Sequence, residues 1–171
     1  MQITFTKGQR EDWIAIVRGH GSRVDTRFPH KGPVPHDAMH LFVEAGLGLT
    51  RGFWGMVGDG HHPEQLAELA KLGGHASAKR AGVPDASIVE LLQAERLVEV
   101  FEADLWSGSH GDEAALLDLG RIACSYSHVP LPTIPDGSVA KVQLAIADFA
   151  QRWTSKPTGH TAEFTWPLSL R

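Results

Sequence analysis

The chain has 171 residues, 42% hydrophobic and 21% charged, with a net charge of −4 when its histidines are neutral. This is ordinary globular composition and excludes a wholly disordered chain. The acidic balance and scattered Lys and Arg exclude a dedicated nucleic-acid binder, which carries a basic stripe. The lone Cys124 excludes an intrachain disulfide and a four-cysteine zinc site.

The length suits one domain over residues 1–171. Residues 1–6 lack the charged segment and apolar run of a signal peptide. No apolar stretch approaches the ~20 residues of a membrane helix. The expectation is therefore a cytoplasmic protein without a membrane partner.

The first elements read as strands. Ile3 and Phe5 alternate with polar neighbours, residues 13–17 form a short apolar run, and Gly19-His20-Gly21 signals a turn. Val24, Thr26 and Phe28 then alternate with charged residues, which predicts a three-stranded antiparallel meander with one wet face. Pro33 and Pro35 break this pattern. A helix is predicted over 35–45, ended by Gly46 or Gly48. A short helix follows over 51–57, where Gly52, Gly55 and Gly58 recur every three residues and would admit a close backbone. Further helices are predicted over 63–72, over 85–106 as the longest, and over 112–126 with Asp112 as cap.

Residues 130–135 read as a rigid linker. A last helix starts at Asp136 or Ser138, with Val139, Val142, Ile146, Phe149 and Trp153 on one face. Ala162, Phe164 and Trp166 then alternate as a strand. A lone strand leaves its backbone unpaired, so it is expected to join the N-terminal sheet. The predicted class is α+β: three N-terminal strands plus a C-terminal strand, packed against five to six helices.

The chemistry-bearing pattern lies on the first helix. On a wheel of ~100° per residue, His40 falls near ~40° from His36, Glu44 near ~80° and Asp37 near ~100°. The rest of the circumference is mostly apolar, so the polarity is one narrow stripe made only of metal-ligand and acid–base types. Residues four apart have Cβ atoms about 5–6 Å apart, which lets His36 and His40 chelate one ion. Glu44, His30, His61 or His62 is the expected further ligand. Asp37 and Glu44 are the candidate catalytic carboxylates, and Phe53 and Trp54 are candidates for an aromatic substrate wall. Over the five residues His36-Asp37-Ala38-Met39-His40 the chain resembles the H-E-x-x-H helix of zinc metalloproteases. Asp37 stands where that family has its glutamate base, no downstream signature follows, and no protease is inferred.

Other features are bland. His61-His62-Pro63-Glu64 reads first as a helix start. His110-Gly111-Asp112-Glu113 reads as a loop and cap, and Cys124 as a buried inert thiol. No nucleophile elbow supports a serine hydrolase.

Two functions follow as expectations. One is a metal-dependent hydrolase-like enzyme using a divalent ion such as zinc at His36 and His40, with a small-molecule or peptide ligand. The alternative is a non-catalytic binding or interaction domain whose His/acid stripe is a polar contact surface.

Overall fold

The computed structural model describes residues 1–73, 83–109 and 111–170, so His75 and His110 lie outside the described residues. Alternation builds the sheet. In β1 (Gln2–Thr6) and β2 (Glu11–Val17), Ile3, Phe5, Ile14 and Ile16 are buried, while Gln2, Trp13 and Val17 face solvent. β3 (Arg23–Pro29) turns Thr26 inward, with Val24 and Phe28 half-buried in the same row.

β4 (Thr161–Thr165) pairs antiparallel with β1, giving the order β3-β2-β1-β4. The expected four-stranded α+β architecture is the one that forms. Its cause is visible at β1, which has a hydrogen-bonded neighbour on both edges. Phe164 of β4 meets Phe5 at 5.9 Å between ring centroids.

Six helices occur among the described residues: α1 (His36–Leu47), α2 (Phe53–Gly58), α3 (Pro63–Leu72), α4 (Val89–Ser107), α5 (Glu113–Ser125) and α6 (Ser138–Thr154). α1 starts after Pro35 and ends at Gly48, whose φ of 74° suits glycine. Gly46 lies inside the helix rather than ending it. Its missing side chain matters, because a Cβ there would sit 2.2 Å from Val142 of α6. The expected helix over 85–106 is split: Asp85 caps a 3₁₀ turn (Ala86–Ile88), and α4 proper follows. Asp112 caps α5 by accepting the Ala115 N–H at 2.8 Å.

α1 packs against α4 and α6, and one apolar cluster joins the inner face of the sheet to these helices. Nine of the twelve α1 residues are buried, so its polar side chains meet protein rather than bulk water. Among the described residues no helix is long and apolar enough to cross a membrane.

Candidate metal centre

The stripe on α1 faces α4, and α4 answers it with carboxylates. His36 Nδ1–H donates to Glu102 Oε1 at 2.9 Å, and His40 Nδ1–H donates to Glu44 Oε1 at 2.9 Å. Each imidazole is thereby fixed in orientation, with Nε2 turned the other way. Both Nε2 atoms reach the same atom, Glu95 Oε2, at 3.6 Å each. That separation is too long for a hydrogen bond. Ligands on a tetrahedral zinc at ~2.0–2.1 Å stand about 3.3–3.4 Å from one another. Small side-chain adjustments would bring the three atoms to the spacing that one ion needs. Among the described residues, His36, His40 and Glu95 are the group whose ligand atoms lie within 4.8 Å of one another.

The surroundings are buried and rich in carboxylates. His40 and Glu44 are each 1% exposed. Burial opposes charge on His36, but its hydrogen bond to Glu102 and the nearby Glu95 carboxylate outweigh this and lift its pKa to about 9. Burial likewise opposes charge on His40, and the negative charge of Glu95 with the Glu44 hydrogen bond lifts it to about 10. Glu44, Glu95 and Glu102 thus hold positive charge on the imidazoles. A dication held at the two Nε2 atoms would take the place of those protons. Burial pushes the carboxyls of Asp37 and Glu44 above the ordinary range.

Glu44 is more than a partner of His40. Its Oε2 accepts the Trp54 backbone N–H at 3.0 Å, so both oxygens are committed to holding α1 and α2 together. Geometry therefore makes Glu44 an orienting group behind His40, and Glu95 rather than Glu44 is the carboxylate grouped with His36 and His40. Asp37 differs. It is 8% exposed, its carboxylate makes no hydrogen bond among the described residues, and it lines a cavity of about 230 Å³. His36 and Glu95 line the same cavity, so two of the three ligand groups open onto it.

The remaining expected site residues divide. Phe53 lines the cavity and lies 5.4 Å from His40 between ring centroids. Trp54 is fully buried beneath α1, where its indole N–H donates to the Asp37 carbonyl at 2.8 Å. It braces the helix rather than walling the cavity.

His61 and His62 are not brought to the cluster. The Arg18 guanidinium holds the His61 carbonyl, and His62 caps α3 by accepting the Glu64 N–H at 3.4 Å. His30 lines the cavity but is bonded to Asp12. Cys124 is buried, and burial pushes its thiol up to about 11.

Glu95 and Glu102 are absent from the stripe read on the sequence. Their signal lay on the other helix: Leu91, Glu95, Val98 and Glu102 follow one another at steps of four, three and four, so two acids sit in an otherwise apolar row.

The cluster defines a class of site, two histidines and one carboxylate with carboxylate-anchored rings. Comparison with family models, with curated proteins and with solved structures gives no match for this chain.

Proposed function

We propose that this chain is a small zinc-dependent hydrolase of the cytoplasm, with His36, His40 and Glu95 as the metal ligands. The observation that carries the reading is the shared focus of two Nε2 atoms on one oxygen of Glu95, each ring anchored from behind by a separate carboxylate. Nitrogen and carboxylate oxygen donors suit zinc, and three protein ligands leave a fourth position for water. Zinc supplies a water acidic enough to ionise near neutral pH. Asp37 is buried, lines the same cavity and makes no hydrogen bond among the described residues, and it would take that proton. Burial lifts its carboxyl above the ordinary range. The lone cysteine agrees with a reducing compartment.

A second reading has its own observation. The hydrogen bonds from His40 to Glu44 and from Trp54 to Glu44 form a buried polar network, which a purely structural role would also contain. A surface for partner contact is disfavoured, because most of the stripe is buried.

Metal analysis separates the readings. Tag-free protein is expected to carry one zinc per chain, as purified or after reconstitution, and His40→Ala and Glu95→Gln to lose it while remaining folded. Wild-type protein that holds no stoichiometric ion under either condition would overturn the metal reading and leave the structural one.

A further inference from the structure

We infer that Asp12 and His30 form a proton-donating arm of the same site, and that the site takes small carboxylic esters with an apolar part. The inference rests on the zinc-hydrolase reading and assigns it a second catalytic residue and a substrate class.

The sheet supplies this arm. The inward row of β2 reads Asp12, Ile14, Ile16, and Asp12 is only 5% exposed. The inward row of β3, Val24, Thr26 and Phe28, runs on to His30, with Asp12 registered opposite Phe28. His30 Nε2–H donates to Asp12 Oδ1 at 2.9 Å, and the Gly8 N–H donates to the same oxygen at 3.0 Å. The carboxylate is thus held by the turn between β1 and β2, and the imidazole is held by the carboxylate. This leaves His30 Nδ1 as the ring nitrogen that Asp12 does not hold.

Both residues line the cavity of about 230 Å³ that His36, Asp37 and Glu95 also line. One small molecule can therefore meet α1 and α4 on one side and this carboxylate-buttressed imidazole on the other. An acid opposite a hydrolytic metal has a defined task, which is to protonate the departing group.

The cavity also restricts what enters. Ile14, Phe28 and Phe53 give it apolar walls, and the size suits a small molecule with an apolar part.

The step balances as follows. Water adds to the acyl carbon as its proton passes to Asp37, forming the C–O bond. The bond from carbon to the alkoxy oxygen breaks, its electron pair stays on that oxygen, and the proton from His30 Nδ1 completes the alcohol. Solvent then returns a proton to His30 and removes one from Asp37.

The test compares two leaving groups on zinc-loaded protein. Ethyl acetate releases an alkoxide that needs a proton; p-nitrophenyl acetate releases a phenolate that does not. His30→Gln is expected to lower kcat/KM on ethyl acetate by about 100-fold or more while changing p-nitrophenyl acetate by less than about threefold. Zinc content should stay at one per chain. Asp12→Asn, which keeps an acceptor for the Gly8 N–H, should show the same selective loss to a smaller extent.

Equal losses on both esters, or none on either, overturn the proton-donating role while leaving the hydrolase intact. Zinc-loaded wild type that turns over neither ester overturns the hydrolase reading and this inference with it. Zinc content, read separately, shows whether the metal site survives that result.

Discussion

Glu44 illustrates how one side chain can serve both fold and site. One oxygen takes the His40 Nδ1–H and the other the Trp54 backbone N–H. In Glu44→Gln the amide oxygen can still accept from Trp54. The amide N–H₂ would then face the His40 N–H, donor against donor. The ring loses its anchor, and zinc affinity is expected to fall by about 10–100-fold with the fold retained; competition against a chromophoric chelator measures this. An unchanged affinity would mean that His40 orientation does not depend on Glu44.

The spacing of His36, Asp37, His40 and Glu44 was legible because all four share two turns of one helix. Spacing alone made Glu44 look like a ligand, since it cannot reveal that the Trp54 N–H occupies its second oxygen. Glu95 and Glu102 are over fifty residues further on, and only tertiary packing brings them to His36. A second wheel drawn for α4 would have flagged them, because a carboxylate in an apolar row needs a buried partner.

At the scale of elements, α2 depends on what its glycines lack. A Cβ on Gly55 would lie 1.8 Å from the Thr50 carbonyl oxygen, and a Cβ on Gly52 would lie 2.5 Å from Glu44 Cδ. The spacing of three suggested close backbone approach, and Gly55 shows it. Gly52 instead makes room for a side chain, while Gly58 has nothing nearer than 3.9 Å. The two substitutions should therefore separate. Gly55→Ala sets a side chain against rigid backbone and is expected to cost at least about 1–3 kcal/mol in denaturant unfolding. Gly52→Ala displaces the Glu44 carboxylate, so its loss should appear chiefly in zinc affinity, approaching that of Glu44→Gln. If both variants lose stability alone, Glu44 has no special tie to the metal centre. Helix ends were less legible than helices. The 3₁₀ turn ahead of α4 arises from the Asp85 cap, a local hydrogen bond that periodicity does not register.

For the whole molecule, β4 couples remote chain to the site. Periodicity showed a strand over 161–166, of which Thr161–Thr165 forms, and backbone satisfaction gave it a sheet to join; which edge it joined was settled by packing. It covers β1, whose Ile3 and Phe5 are fully buried on the face that packs against the helices. Phe164 also contacts Phe42 of α1 and Phe149 of α6, each at 5.7 Å between ring centroids. Loss of β4 would uncover the edge of β1 and remove the aromatic contact that ties the sheet to α1, the helix carrying His36 and His40. Protein ending at residue 159 is therefore expected to lose its cooperative thermal transition together with stoichiometric zinc. A synthetic peptide covering 157–171 should restore both in trans, because strand pairing and aromatic packing need no covalent link to β1. Calorimetry and metal analysis on the same samples decide the matter. If the shortened protein keeps its transition and its zinc, β4 is an accessory edge and α1 is positioned by α4 and α6 alone. If the peptide restores the transition but not the zinc, the sheet holds the fold without setting the spacing of His36 and His40 from Glu95.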